Sequence, residues 1–229
     1  MATTRTAEES RADYIENMGE ELGSVYYCLW QELAWLFSKW NEYKTLFGTK
    51  PSRIELLNNA APHFFRVVQD SLWEDTILHI ARLTDPPKSM GKDNLSVQQL
   101  PGLVSDSNLS TELGRLVDIA KQESEFCRDW RNRRLAHRDL GLAIGDTAVM
   151  LKPGSQEKVG KALAALSDIL DSVSTHYLDS STVFDMGANI GGGESLLHAI
   201  YDGLRAEESR RERLREGKML PEDSNHPDL

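Results

Sequence analysis

The sequence predicts an all-α fold, an antiparallel four-helix bundle with one additional C-terminal helix. Three observations predict it. Apolar residues recur at steps of three and four along most of the 229-residue chain, the segments so patterned are long, and proline and glycine gather between them. No fixed-period repeat is visible, and nothing in the pattern asks for a sheet.

The first helix follows Tyr14, Met18, Leu22, Val25, Leu29, Leu33, Leu36, Trp40, Tyr43 and Phe47, one apolar stripe on a very long segment that Gly48 ends. After the turn "GTKPS", a second helix starts at Pro51 and Ser52. It turns Ile54, Leu57, Ala61, Phe64, Val68, Leu72, Ile80 and Leu83 inward. Pro62 bends or splits this helix, because proline has no N–H to give the preceding turn, and "LTDPP" stops it. Residues 86–108 read as a loop with a short helical turn at "SVQQLPGL". The third helix begins at Ser110, carries Leu113, Leu116, Ile119, Phe126 and Trp130, and runs into a cluster of arginines.

"GLAIGDTAVMLKPGS" reads as an irregular connector with an extended stretch at "AVML". The fourth helix, from about Ser155 to Tyr177, is built on Val159, Leu163, Leu166, Ile169, Leu170 and Val173. A final helix, "ESLLHAIYDGLRAEESRRERLRE", starts apolar and ends charged all round, a pattern typical of a solvated helix. "GANIGGGES" precedes that helix but follows no strand, so it reads as a helix lead-in and not as a phosphate loop.

Acidic residues outnumber basic ones, 36 to 26, for a net charge of −10. Such a surface repels nucleic acid and anionic membranes as a whole, so any polyanion must be held by a local patch. Cys28 and Cys127 lack metal-ligand spacing and read as reduced, buried thiols of a cytosolic protein. The opening "MATTRTAEESRADY" is polar, unlike a signal peptide, and no apolar run reaches the roughly 18 residues of a membrane span. A soluble, cytoplasmic protein with no membrane partner is expected.

Against that acidic background, "CRDWRNRRLAHRDL" places Arg128, Arg131, Arg133, Arg134 and Arg138 within eleven positions, beside His137. Only Asp129 and Asp139 offset them locally. On a regular helix Arg131 and His137 lie about 120° apart and roughly 9 Å along the axis. One helix cannot focus both on one atom unless its end is bent or a second copy contributes. Two copies about a two-fold axis would make a composite cleft.

The chemistry suits a phosphodiester. Guanidinium forks bind phosphate and stay charged, and neighbouring arginines keep His137 neutral enough to act as a base near neutral pH. In RNA the 2′-hydroxyl is a nucleophile already in place, so a base and fixed positive charge suffice without a metal. His63, His79, His176 and His198 do not pair with carboxylates at ligand spacing. No HExxH, Walker loop or CxxC appears, so neither metal nor cofactor is expected. Competing structural roles are plain as well: the arginines can pair with Asp129, Asp139 or other acidic neighbours. Arg82 and Asp85 of "ARLTDPP", three apart at a helix end, can bond each other and the backbone. Glu74 and Asp75 fit exposed helix positions that could also line the cleft.

"RNRRLAH" (Arg131 to His137) resembles the R-x(4–6)-H motif of HEPN proteins, with Asn132 as the polar residue that often follows the arginine. "FFRVVQDSLWEDTILHIARLTDPP", followed by "RNRRLAHRD", is similar to the AbiU-type abortive-infection branch, over roughly residues 15 to 205. The resemblance implies a four-helix bundle whose motif helices meet across a homodimer, and a metal-independent endoribonuclease leaving a 2′,3′-cyclic phosphate and a 5′-hydroxyl. It implies that Arg131 contacts the scissile phosphate, Asn132 orients it and His137 transfers a proton. Toxin and phage-defence roles come with it, and with them an antitoxin partner such as a nucleotidyltransferase-type protein. Arg128, Arg133, Arg134 and Arg138 are assigned to RNA binding from charge alone. The expected organisation is a polar lead-in at 1–10, the HEPN bundle at 11–180, a glycine-rich connector and C-terminal helix at 181–216, and a disordered tail at 217–229. Some members only scaffold or bind nucleotides, so an inactive module that binds a nucleotide or protein partner stands as the alternative.

Overall fold

The computed structural model describes residues 6–48, 50–89, 91–136, 139–145, 150–185 and 191–224. The chain is all-α, and it divides into two compact units, residues 1–40 with 71–186 and residues 41–70 with 187–229. Two helices, α2 (Glu20–Tyr43) and α4 (Pro62–Leu83), contribute residues to both.

In the first unit the predicted long opening helix is two helices. α1 (Ala7–Met18) is started by a capping box in which Thr6 and Glu9 satisfy each other's backbone N–H groups. It ends at Gly19, whose φ of +83° is open to glycine and strained for other residues. The chain then turns into α2, and the last turn of α1 lies directly on Gly23. A Cβ there would sit 2.6 Å from the Tyr14 carbonyl oxygen. The apolar stripe of α2 buries Leu22, Tyr26, Leu29, Leu33 and Leu36, passing through Tyr26 in place of the expected Val25. Cys28 is exposed on the other face, not buried as expected. Cys127 is buried, and burial pushes its thiol up to about 12.

The inner face of α4 supplies Ile77, Ile80, Ala81 and Leu83 to this core. Thereafter a small antiparallel hairpin, β1 (Lys88–Ser89) and β2 (Lys92–Asp93), interrupts the expected loop. A helical turn at α5 (Leu100–Leu103) follows. α6 (Ser107–Glu123) begins three residues earlier than Ser110, because the Asp106 carboxylate caps the Leu109 N–H at 2.8 Å while the Ser110 hydroxyl donates to the Pro101 carbonyl. α6 packs along α9 (Gln156–Leu178), burying Leu113, Val117 and Ala120 against Val159, Leu163, Leu166, Ile169, Leu170 and Val173. Between them the predicted single third helix stops at Ser124. α7 (Glu125–Trp130) resumes it, and a wide π turn over Arg131–Leu135 closes it. "GLAI", expected to be irregular, forms the short helix α8 (Leu140–Ile144), capped by Asp139 and stopped by Gly145 at φ +73°. Of the expected extended stretch, Ala148 and Val149 lie outside the described residues.

In the second unit, a π turn at Lys44–Gly48 leads to α3 (Pro51–Ala60). Ala61, held extended at φ −157° ahead of Pro62, separates α3 from α4. That break shifts the phase of the apolar stripe. Phe65 is buried with Leu46, Leu57 and Leu197, whereas Phe64, expected inside, is 59% exposed. α10 (Gly193–Arg215) packs on α3, and its Glu194 meets Arg53 at 3.2 Å. After it, Arg213 pairs with Asp223 of a 3₁₀ turn at Pro221–Ser224, within the expected tail 217–229, of which residues 225–229 lie outside the described residues. Among the described residues no helix is long and apolar enough to cross a membrane.

Candidate nucleic-acid interface at the arginine turn

The site is built on the C-terminal end of α4. The Ser96 hydroxyl donates to the Leu83 carbonyl at 3.2 Å, and the Gln98 amide donates to the Thr84 carbonyl at 2.8 Å. With a further bond from the Ser96 hydroxyl to the Asp85 carbonyl, these bonds hold Leu83, Thr84 and Asp85 as a platform. Ser124, fully buried, donates its hydroxyl to Thr84 Oγ1 at 3.0 Å, which accounts for the helix break at that position. Arg128 completes this knot, with Nη1 3.2 Å from Thr84 Oγ1 and 3.1 Å from Ser124 Oγ, and Nη2 donating to the Lys121 carbonyl. Arg128, expected at RNA on charge alone, thus directs both Nη nitrogens to partners inside the protein.

The next arginine sits on the platform itself. Arg131 Nη1 donates to the Asp85 carboxylate, and Nε donates to Asn132 Oδ1 at 3.0 Å. Both partners are about one-fifth exposed, so the pair is shielded yet reachable from solvent. Asp85 is therefore not locked to Arg82 by its side chain; only its N–H returns to the Arg82 carbonyl, at 3.2 Å. The backbone here widens. The Ala136 N–H bonds the Arg131 carbonyl at 2.8 Å, a five-residue closure, and the Asp139 N–H reaches the Arg133 carbonyl at 3.0 Å. A bent helix end was one of the two conditions for bringing positions 131 and 137 together. His137 and Arg138 themselves lie outside the described residues.

Arg133 lies 3.4 Å from Asp129, whose other oxygen accepts the Lys152 N–H at 2.8 Å. Arg134 rests over the Trp130 ring at 5.1 Å from its centroid, with Nε 3.6 Å from Glu74 Oε1. Trp130 is pinned by its own N–H to the Lys152 carbonyl at 2.8 Å and by an edge contact with Trp73. The local acids foreseen as structural partners are thus partly engaged, Asp129 by Arg133 and Asp139 by its capping of α8. Asp85 and Glu74 were not tied to these arginines by the sequence.

A second polar group joins residues whose spacing in the sequence does not connect them. His79, 2% exposed, has Nε2 2.7 Å from Glu32 Oε2 and Nδ1 3.1 Å from Lys39 Nζ, and Lys39 also pairs with Asp75. Burial, and after it the Lys39 ammonium, hold the imidazole well below its ordinary range, so His79 is neutral and serves as a polar tie between α2 and α4. Among the described residues no group of three or more His, Cys, Asp or Glu is arranged to hold a metal ion.

Residues 19–191 match the family model HEPN_AbiU2, described as AbiU2, and this span includes α4, the platform and the arginine turn. No curated protein and no solved structure matches the chain.

Proposed function

The chain belongs to the AbiU2 family of HEPN domains, and from that premise we propose that it is a metal-independent endoribonuclease acting on single-stranded RNA in abortive infection or as a toxin. Family membership points to a nuclease or abortive-infection role. The finer reading is supported above all by one observation, the widened turn on which Asp85 and Asn132 together orient Arg131. With Nε and Nη1 engaged, the Nη2 end of the fork can meet a phosphate without displacing either partner.

In the proposed reaction His137 accepts the 2′-hydroxyl proton, the 2′-oxygen bonds to phosphorus, and the 5′-oxygen leaves and is protonated. The products are a 2′,3′-cyclic phosphate and a 5′-hydroxyl. Arg131 stabilises the charge that builds on the phosphorane, and Asn132 holds Arg131 in line. Two copies of the chain form the working cleft. The exposed apolar residues Leu140, Ile144 and Met150, which follow the motif directly, favour a surface that a second copy covers. Its control would fall to an antitoxin, such as a nucleotidyltransferase-type protein.

Full-length wild-type and His137→Ala protein incubated with single-stranded RNA in EDTA test this. Cleavage by the wild type alone, with both proteins sedimenting as dimers at micromolar concentration, is expected. Cleavage that needs added magnesium, survives the substitution, or comes from a monomer contradicts it. The pairing of Arg131, Arg133 and Arg134 with Asp85, Asp129 and Glu74 favours the second reading, an inactive module binding a nucleotide or partner. RNA that is bound but left intact by the wild type would select it.

A further inference from the structure

Beside the arginine turn, Glu74, Arg133, Arg134, Asp139, Leu142 and Ala143 line an open cleft of about 370 Å³. This lies at the small end of ligand pockets, room for one nucleotide and not for a helix. Its polar groups are not equally available. Asp139 is spent capping the Leu142 N–H at 2.8 Å, and Arg133 bonds Asp129 and the Met150 carbonyl. Glu74 and Arg134 lie side by side at 3.6 Å, near enough to hold each other's charge and too far for a good hydrogen bond. Each is about half exposed and keeps hydrogen-bonding capacity toward the cleft. Leu142 and Ala143 supply an apolar wall on which a base can rest.

A carboxylate offers two adjacent acceptors and no donor. Among the RNA bases only guanine presents two adjacent donors, N1–H and N2–H, on its Watson–Crick edge, with the O6 acceptor next to them. Adenine and cytosine would set a ring-nitrogen lone pair against the carboxylate, and uracil has a single donor between two carbonyls. The Glu74 carboxylate with the Arg134 guanidinium beside it therefore matches guanine and opposes the other three. We propose that this cleft is a guanine subsite, with Glu74 accepting N1–H and N2–H and Arg134 donating to O6. It deepens the ribonuclease reading by naming the nucleotide that reading would favour beside the cut.

The test measures binding. The full chain is titrated in EDTA with guanosine, adenosine, cytidine and uridine 3′-monophosphates by calorimetry, together with the E74Q variant. Glu74 is half exposed, so the variant should fold, and circular dichroism checks that it does. Guanosine monophosphate should bind about 10-fold tighter than the others, the scale of one bidentate base contact. E74Q presents one acceptor and one donor, so it should lose that preference and gain affinity for adenosine monophosphate. Equal affinity for all four nucleotides, no binding, or a guanine preference that survives E74Q overturns the subsite. The two readings fail separately. Glu74-dependent guanine binding without RNA cleavage keeps the subsite and removes the nuclease, whereas cleavage without base preference does the reverse.

Discussion

Arg131→Ala should lower the saturated rate of RNA cleavage by about 100-fold or more and change RNA affinity by only a few-fold. Its guanidinium is oriented before substrate arrives, by Asp85 on one side and Asn132 on the other. A group so fixed contributes most where charge is greatest, at the phosphorane, and little to a ground-state phosphate already screened by solvent. Arg134→Ala should show the opposite split. That arginine lines the cleft and is about half exposed, so its loss should weaken binding and flatten the salt dependence while the saturated rate stays near wild type. Single-turnover rates and binding titrations at two salt concentrations separate the two. An unchanged saturated rate in Arg131→Ala would reduce the cluster to a binding patch.

Gly23→Ala should destabilise the fold by about 3 kcal/mol or detach α1, a large effect for one methyl group. The added Cβ would meet Tyr14 O at 2.6 Å and Ile15 Cα and N at 2.7 Å. All three are backbone atoms of a neighbouring helix, so no side chain can swing aside. Gly114→Ala in α6 is the control, since nothing lies within 4 Å of that Cβ. There the substitution should stabilise by about 0.5–1 kcal/mol, through the helix preference of alanine. Urea denaturation of the three proteins measures both. Equal stability of Gly23→Ala and wild type would mean that α1 does not pack on α2 as described.

These two sites show which parts of the structure the sequence carries openly. The stripe Leu22, Leu29, Leu33, Leu36 and the α9 series from Val159 to Val173 are local periodic patterns, and they are buried as the pattern requires. The break at Gly19 depends on a contact between Gly23 and α1, which a stripe of apolar residues running through both helices conceals. Ser124 gives no local sign of ending α6, because its reason is a hydroxyl at Thr84, forty positions away. The Pro62 break is legible, but its consequence for phase is not, so Phe64, expected inside, is exposed and Phe65 is buried.

The same division holds at the site. Arg131 and Asn132 stand out through a short motif dense in charge. Asp85, which holds Arg131 across 46 positions, was visible only as half of a local pair with Arg82. Glu74 reads as an exposed helix carboxylate that could also line the cleft, and the turn places Arg134 beside it. His79 lay in an apolar pattern, and its partners Glu32 and Lys39 come from a different helix. Ion pairs between distant segments leave no spacing to read.

In the proposed reaction the 2′-hydroxyl of the substrate is the nucleophile and protein side chains alone activate it. The most direct measurement uses a single-stranded RNA with one 2′-deoxynucleotide placed immediately 5′ of a mapped cleavage site, incubated with wild-type protein in EDTA. The modified site should be spared, the other sites should be cut at their usual rate, and every product should carry a 2′,3′-cyclic phosphate and a 5′-hydroxyl. Cutting at the deoxy position, or products ending in a 3′-hydroxyl, would contradict it.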